Sequence, residues 1–332
     1  MSKNNHIYNM IDSKNVVDLF DMNADDSTMS FLDKKTTVAD GIYRPSLKDA
    51  VDKSKGYSAT IRFLPNVLED GTLGQSAIEK HVHYAKLPDY PDLQGYYDSL
   101  INFGEKCPLT TLYWQLKNSK NQAEVERAEL ISRTTKYYSY VLIVEDENHR
   151  ELEGKIMIYP YGFKIKEKIN QERTGENADG KKCNVFDPAN GKDFRLIIKQ
   201  SGDWPTYESS VFRQVSPLKI WDEEKSLFHE VPTEWNEDKE KFLISSSKVQ
   251  GKVLSYLQTK DVNLEDNAAK QWTEEQKVHV EKIIEVLSGK DFSFAKESID
   301  VATTSTSSTE TLDDTSLDDT DSDDLDQFFG DD

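Results

Sequence analysis

The chain has few cysteines and no long apolar run, and both absences limit the class of protein it can be. Its 332 residues include two cysteines, Cys107 and Cys183. This is too few for a disulfide framework and favours a reducing cytoplasm. No stretch approaches the roughly 18 consecutive apolar residues that a membrane-spanning helix needs. Residues 1–20 lack an apolar run followed by a small-residue cleavage site, so we expect no secretory signal there.

The sequence also lacks the short motifs that mark common catalytic sites. It has no glycine-rich phosphate-binding loop, no HExxH pair of metal ligands and no G-x-S-x-G nucleophile turn. Its six histidines are scattered, apart from His81 and His83. We therefore expect a protein that is not an enzyme. A metal-dependent nuclease is the enzyme class left open, and magnesium-dependent degradation of DNA would support it.

Negative charge is what the sequence has in excess, and its position matters more than its total. The formal net charge is −20, and residues 301–332 contain eleven Asp and Glu but no Lys or Arg. Residues 130–200 contain thirteen Lys and Arg against eleven Asp and Glu. Because affinity for phosphates depends on the local field rather than the total charge, this middle part can present a basic groove.

Short strand patterns without a βαβ rhythm dominate the middle of the chain. They are YSATIRFLP (57–65), KYYSYVLIVED (136–146), GKIMIYPYGF (154–163) and DFRLIIKQSG (193–202), of which the second and third predict a hairpin. Helical spacing predicts helices in 110–119 and the following NQAEVERAELI, and in 163–173, 237–258 and 273–290. Thr273 and Gln276 fit a capping box, and Gly289 fits a C-cap. The predicted fold class is mainly β with helical insertions, an α+β protein with a small barrel.

Aromatic and basic residues alternate in the strand region. The aromatic residues are Tyr137, Tyr138, Tyr140, Tyr159, Tyr161, Phe163, Trp204, Tyr207 and Phe212. The basic residues between them are Arg133, Lys136, Lys155, Lys164, Lys166, Lys168, Arg195 and Lys199. This combination is typical of proteins that stack unpaired bases on rings and contact phosphates with lysines, each stacked base contributing roughly 1–3 kcal/mol.

Strand pleating predicts which of these rings lie on the same face. Successive side chains of a strand point to opposite sides, so Tyr159 and Tyr161 share a face. Tyr138 and Tyr140 also share one, and Tyr137 points the other way. One face can fill the barrel while the other offers rings to bases. The simpler alternative is that all the rings form a β-core, and the interleaved Lys and Arg favour the stacking interpretation.

Six segments follow one another in an order that resembles a known family. They are YSATIRFLPN, KCPLT, TTKYYSYVLIVED, EGKIMIYPYGFKIKEKIN, FRLIIKQSGDWPTYESSVF and DDTDSDDLDQFF. The chain thereby resembles the single-stranded DNA-binding (helix-destabilising) proteins of T-even-like phages, from about residue 57 to 257 and again in the tail. The resemblance implies an OB-type barrel with a connecting subdomain. It also implies a protein that coats intermediates of DNA replication, recombination and repair in the cytoplasm of an infected bacterial host, without reading sequence.

The resemblance also implies which residues contact DNA. Arg133, Tyr137 and Tyr138 match DNA-contacting positions of the family, and Tyr159, Trp204 and Tyr207 match aromatic positions of its cleft. The predicted DNA-binding set, with neighbouring basic and aromatic residues added, is Arg133, Lys136, Tyr137, Tyr138, Tyr159, Tyr161, Lys164, Arg195, Trp204 and Tyr207.

The zinc site of the family is incomplete in this sequence. The family commonly holds a structural zinc with three cysteines and one histidine, including a C-P-x-C pair. Here Thr110 stands where the second cysteine of that pair would be, and only His83 and Cys107 match ligand positions. Because a closed zinc site needs four ligands, we expect no zinc and no other cofactor. The vacated space is expected to be filled by Tyr84, Tyr90, Tyr96 and Tyr97.

The sequence patterns and the resemblance together predict four regions. They are a polar N-terminal arm (1–44), an OB-type core (45–235) with an inserted subdomain (about 80–130), a helical region (236–292) and a disordered acidic tail (293–332). Family members contact neighbouring protomers through a basic N-terminal motif. Residues 1–44 instead hold five Lys and Arg against seven Asp, and their best candidate is Lys34-Lys35-Thr36-Thr37. A solvated charge pair explains those lysines more simply, so cooperative self-association stays open.

The tail has too little apolar surface to offset the entropy lost on ordering. We expect it to compete with DNA for the basic groove and, once displaced, to recruit replication and recombination proteins. The predicted partner-binding residues are Asp323, Asp324, Leu325, Asp326, Phe328 and Phe329. One alternative is a tail that only aids solubility. A second is that the whole chain is an acidic protein-interaction partner that mimics DNA, which the net charge of −20 favours.

Overall fold

The computed structural model describes residues 41–52, 54–202 and 204–288. In this part of the chain the first of two compact units contains the residues up to Lys80 and Thr135–Ala268. The second unit contains His81–Thr134 and the residues from Ala269 onward. The predictions for Lys34–Thr37, for Gly289 and for the acidic tail lie outside the described residues.

Strands and helices alternate irregularly along the described residues, which confirms the α+β class. The strands are β1 Tyr57–Phe63, β2 Ile78–Ala85, β3 Gly95–Asp98, β4 Arg133–Asp146, β5 Ile156–Tyr161, β6 Lys192–Ser201, β7 Trp204–Thr206, β8 Val211–Val215, β9 Lys219–Asp222, β10 Leu227–Glu230, β11 Thr233–Asn236 and β12 Lys241–Ile244. The α-helices are α1 Pro108–Lys117, α2 Gln122–Glu129, α3 Phe163–Thr174, α4 Ser247–Gln258 and α5 Glu274–Ser288. No helix in this part of the chain is both long and apolar enough to cross a membrane.

The first unit is built on an antiparallel sheet with β1 between β4 and β6. Strand β5 pairs with the free side of β4 as the predicted hairpin, and β6 also pairs with β7 and β8. All four strands predicted from the sequence are therefore confirmed. The ladders between these described strands do not close into a ring. The structure thus shows a β-rich sheet with helices, and the OB-type barrel stays a prediction.

The buried residues of the first unit form two hydrophobic clusters, because successive side chains of a strand point to opposite faces. One, the aromatic core, contains Phe63, Tyr137, Tyr159, Tyr161 and Phe194 among its buried members. The other contains Tyr138, Tyr140 and Leu142 of β4 together with Leu254 and Leu257 of α4. The predicted faces of β4 and β5 are therefore confirmed. The expectation that one face stays open is wrong for this hairpin, because the second cluster covers the side away from the aromatic core.

The predicted helix over 237–258 begins ten residues later than expected. Strands β11 and β12 pair antiparallel, and the rings of Trp235 and Phe242 meet across them with centroids 5.1 Å apart. Helix α4 starts only after Ser246, whose side chain accepts a hydrogen bond from the Val249 backbone N–H. The cross-strand ring contact outweighs the helical spacing of the apolar residues in this segment. The region 236–292 is therefore not wholly helical.

The second unit combines a hairpin with three helices. Strands β2 and β3 pair with His83 opposite Tyr97. Helices α1, α2 and α5 contribute Leu109, Ala128 and Ile283, each fully buried in the core of this unit. Helix α5 starts with the predicted capping box, because the Gln276 backbone N–H donates to the Thr273 hydroxyl and the Gln276 side chain accepts from the Thr273 N–H.

Candidate nucleic-acid interface

Three tyrosines of the β4–β5 hairpin form a stack in the aromatic core. The β-ladder places Tyr137 opposite Tyr161, and their ring centroids are 5.7 Å apart with planes inclined by 21°. Tyr159 continues the stack, 5.8 Å from Tyr161 at 25°. The Tyr161 hydroxyl hydrogen-bonds the Ser139 hydroxyl over 3.0 Å, and burial raises the pKa of Tyr161. Tyr161 is therefore a neutral ring at the centre of a closely packed stack.

Phe63 of β1 connects this stack to the aromatic residues of β6 and β8. Its ring meets Tyr161 edge-on at 5.6 Å and lies 5.9 Å from Phe194 and 6.0 Å from Phe212. Phe212 and Tyr207 are only partly buried where they pack against the aromatic core. One margin of the core therefore presents aromatic surface to solvent.

Helix α3 brings lysines to the same core. Ile165 and Ile169 bury one face of the helix, so Lys166 and Lys168 lie off that face. The Lys166 ammonium lies 5.3 Å from the centroid of the Tyr137 ring, within the range of a cation–π contact. Lys168 donates a 3.2 Å hydrogen bond to the carbonyl of Glu208, the residue after Tyr207. We call Tyr137, Lys166, Lys168 and Tyr207 the lysine–tyrosine margin.

Most of the predicted stacking rings are covered in the described structure. The exposed fractions are 6% for Tyr137, 2% for Tyr138, 2% for Tyr159 and 3% for Tyr161. Their present packing is that of a β-core, the simpler of the two alternatives drawn from the sequence. The contact of these rings with DNA stays a prediction, and for Tyr137, Tyr159 and Tyr161 it requires the aromatic core to open.

Tyr138 and Tyr140 belong to the other face of β4. The Tyr140 hydroxyl donates to the carbonyl of Val262 over 3.0 Å and accepts from the Leu264 backbone N–H. The Lys260 ammonium lies 4.0 Å from the centroid of the Tyr140 ring. Burial raises the pKa of Tyr140 to about 12. The structure therefore separates Tyr138 from the tyrosine stack, although Tyr138 is adjacent to Tyr137 in sequence.

The remaining predicted residues are more accessible. Arg195 is exposed on β6, on the face away from buried Phe194 and Leu196. Trp204 is half-buried on β7, and Lys136 and Lys164 are also half-buried. Arg133 is half-buried and belongs to the second unit. The structure therefore brings Tyr137, Tyr159 and Tyr161 together, and places Arg195 and Tyr138 on other faces of the first unit.

Two residues that the predicted set omits are prominent in the structure. Lys166 approaches Tyr137 as described, and Phe163, the first residue of α3, is 51% exposed. Both lie in the segment FKIKEK, where lysines alternate with a phenylalanine and an isoleucine. The aromatic-basic alternation in the sequence includes both residues, so the signal that could have found them was present although the predicted set leaves them out.

The two matched zinc-ligand positions lie in the second unit. His83 Nδ1 is 3.0 Å from the Ile131 carbonyl, and Nε2 is 2.8 Å from the Thr110 hydroxyl. Burial raises the pKa of the Cys107 thiol, but interactions with His83 and Ser99 outweigh burial and bring the pKa to about 6. Across the described ranges, no three His, Cys, Asp or Glu side chains are grouped as metal ligands.

The aromatic run of the second unit is only partly packed. Tyr97 is buried and donates to the Leu93 carbonyl over 2.9 Å. The rings of Tyr84 and Tyr96 lie 4.7 Å apart across the β2–β3 hairpin. Tyr90 is 45% exposed, so the expectation that it fills internal space is wrong.

Comparison with known proteins gives consistent matches. A family model described as "gp32 DNA binding protein like" matches residues 55–254. The "Single-stranded DNA-binding protein" of Enterobacteria phage T4 is 28% identical over 189 residues, which cover 54% of this chain and 60% of the phage protein. The protein of the same name from Enterobacteria phage T2 is 28% identical over 189 residues, with coverages of 54% and 59%. The match thus spans about three fifths of the length of either relative.

Proposed function

Because the chain belongs to the gp32-like family of DNA-binding proteins, we propose that it binds single-stranded DNA without reading its sequence. The family consists of non-enzymatic DNA-binding proteins, so no catalytic residues are assigned. The observation that carries the proposal is the lysine–tyrosine margin, where Lys166 lies over the Tyr137 ring at the end of a tyrosine stack. Phosphates would meet the lysines, and bases would stack on the rings. Every base has a π-face, so such a surface is tolerant of sequence.

Three rings of β7, β8 and the loop between them are already accessible and need no rearrangement. Tyr207 and Phe212 are partly exposed beside the core, and Trp204 is half-exposed on β7. We infer that these rings make the first contacts with bases. The buried rings of Tyr137, Tyr159 and Tyr161 would follow once the margin opens. Arg195 and Lys199 on the outer face of β6 would hold the flanking phosphates.

The wider role is proposed from the family. On this proposal the protein has an OB-type core and coats intermediates of phage DNA replication, recombination and repair in the cytoplasm of the infected bacterium. The acidic tail would compete with DNA for the basic surface and recruit replication and recombination proteins. No zinc or other cofactor takes part, and self-association on DNA stays open.

A titration of the full-length chain tests the DNA-binding proposal. A labelled single-stranded oligonucleotide and the matching duplex are each titrated over a salt series, with intrinsic fluorescence recorded. We expect tighter binding to the single strand, quenching by stacked bases and a steep loss of affinity with salt. Absence of binding at low salt, both for the full chain and after truncation at Val301, would instead support the acidic DNA-mimic alternative.

The truncation at Val301 also tests the tail. Removal of eleven acidic residues should raise single-strand affinity, because an internal competitor for the basic surface is lost. It should also abolish binding of the phage replication proteins. If affinity and partner binding both stay unchanged, the tail serves only solubility.

A further inference from the structure

Four polar side chains meet inside the second unit. His83 and Ser99 are completely buried, and Cys107 is 2% exposed. His83 Nε2 lies 2.8 Å from the Thr110 hydroxyl, which lies 3.3 Å from the Ser99 hydroxyl. The Cys107 thiol lies close enough to His83 and Ser99 for both to lower its pKa. These four side chains therefore cluster inside the second unit, and we call them the polar tetrad.

The tetrad joins elements that are distant in sequence. His83 comes from β2, and Ser99 directly follows β3. Cys107 is the N-cap residue of α1, and Thr110 lies in its first turn. The tetrad thus ties the β2–β3 hairpin to the start of α1, which is the task that a structural metal ion performs in small subdomains.

The hydrogen bonds of the tetrad are complete without an ion. The carbonyl of Ile131 can only accept, so the proton of neutral His83 is on Nδ1. His83 Nε2 therefore accepts from the Thr110 hydroxyl, which in turn accepts from Ser99. With both ring nitrogens of His83 engaged, the Cys107 thiol can donate to the Ser99 hydroxyl, which is the acceptor left in this hydrogen-bonded series. Buried polar groups that are all paired in this way rigidify a core.

The donor atoms of the tetrad do not fit zinc. Structural zinc takes thiolate, imidazole or carboxylate ligands, and two of the four groups here are neutral hydroxyls. Zinc bonds of about 2.0–2.3 Å also hold neighbouring ligand atoms about 3.3–3.8 Å apart. His83 and Thr110 are in direct hydrogen-bond contact at 2.8 Å, closer than two ligands of one ion.

We propose that His83, Ser99, Cys107 and Thr110 form a metal-free equivalent of a tetrahedral zinc site, in which two hydroxyl oxygens occupy the positions of thiolate sulfurs. This identifies Ser99 as the fourth corner, a position that the sequence pattern did not reveal. Exchanging both oxygens for sulfur would create three thiols and one imidazole in the same cluster. The chain is therefore two substitutions away from a complete set of zinc ligands: Ser99→Cys exchanges one oxygen for sulfur, and Thr110→Cys makes the same exchange and removes a methyl group.

The test compares the full-length wild type with the double variant Ser99→Cys/Thr110→Cys. Each protein is measured for zinc content, for Co²⁺ absorption bands typical of tetrahedral thiolate coordination, and for Tm with and without chelator. The matched control is Ser54→Cys/Thr72→Cys, which makes the same exchanges at two exposed turn positions of the first unit. We expect one tightly bound metal ion and a chelator-sensitive Tm for the tetrad variant alone. Wild type and control should bind no stoichiometric metal, and the chelator should not change their Tm.

Two results would overturn the proposal. One is stoichiometric zinc in the wild type whose removal lowers the Tm. The other is a folded tetrad variant that binds Co²⁺ no better than the control. If the double variant does not fold, Thr110→Val and Thr110→Ser decide the question. Valine leaves His83 Nε2 without a donor and should lower the Tm by about 3–8 °C, whereas serine keeps the donor and the Tm. Equal Tm values for valine, serine and wild type would contradict the proposal.

Discussion

Tyr137 of β4 stacks on Tyr161 of β5, with ring centroids 5.7 Å apart and planes inclined by 21°. The pair lies at the end of the aromatic core that Lys166 approaches. A residue in this position serves two purposes, because its ring contributes to the core and is the first of the stack that an opening would expose. Experiments on such rings therefore have to separate a loss of stability from a loss of binding.

Removing half-exposed rings should weaken DNA binding without unfolding the protein. Replacement of Trp204 or Tyr207 by alanine should cost roughly 1–3 kcal/mol of single-strand affinity for each base that loses its stacking partner. The Tm should change little, because neither ring is fully buried. Fluorescence titration and thermal unfolding of each variant check both parts of this prediction.

The control for those variants is a ring inside the core. Tyr159 is 2% exposed, so Tyr159→Ala should cost about 3–5 kcal/mol of unfolding free energy, whereas Tyr159→Phe should cost far less. Unchanged single-strand affinity in both Trp204→Ala and Tyr207→Ala would show that neither ring belongs to the DNA-binding surface.

Lys166 should contribute a phosphate contact. In Lys166→Gln, the slope of log K against log salt for single strands should fall in magnitude by about 0.7, the value expected when one phosphate contact is lost. The matched control is Lys239→Gln, an exposed lysine in the turn between β11 and β12. Equal slopes for the two variants would show that Lys166 does not touch the phosphate backbone.

Asp146 at the end of β4 should be a strong stability determinant. Its Oδ2 accepts hydrogen bonds from the hydroxyls of Tyr43 at 2.7 Å and Tyr57 at 2.5 Å, and its Oδ1 accepts from the Asn148 backbone N–H. An asparagine supplies only one acceptor oxygen, so Asp146→Asn should lower the unfolding free energy by about 1.5–3 kcal/mol. Urea unfolding measures the change. Asp70→Asn, an exposed turn aspartate, is the control and should change little.

Lys260 should make stability depend on alkaline pH. Burial lowers its pKa to about 8, whereas an unfolded lysine titrates near 10.4. Between these values the unfolded chain binds more protons, so the contribution of Lys260 to the unfolding free energy rises with pH. The stability difference between Lys260→Met and wild type should therefore change from pH 8 to about 10.4. Lys252→Met, an exposed position on α4, should show a constant difference. A constant difference for Lys260→Met as well would contradict this prediction.

A side chain at Gly154, in the β4–β5 connection, should lower the stability of the protein. Its φ is +86°, and a Cβ there would lie 2.3 Å from the Trp221 ring. Gly71 has nearly the same φ, +83°, but nothing within 4 Å of its Cβ position. Both alanine variants bear the cost of the left-handed backbone, and only Gly154→Ala adds the clash. Gly154→Ala should therefore be the less stable by about 1–3 kcal/mol in chemical unfolding. Equal losses would show that Trp221 moves aside freely.

Local periodicity in the sequence was sufficient for much of the first unit. The alternation in β4 and β5 separates Tyr137 from Tyr138 and joins Tyr159 with Tyr161, as the two clusters confirm. The capping box at Thr273 was equally readable. These features depend on side-chain direction along one short segment, which a pleat or a helical turn sets by itself.

Only the tertiary structure decided which faces are covered and which distant residues meet. Apolar residues of α4 pack in the same cluster as Tyr138, which closes a face that the strand pattern alone left open. The β11–β12 pairing replaced the start of a predicted helix, because a ring contact between strands outweighs local spacing. Ser99 joins His83 and Thr110 although nothing in its own neighbourhood marks it. Contacts between segments far apart in the chain depend on how whole elements pack, and sequence patterns of single elements do not contain that information.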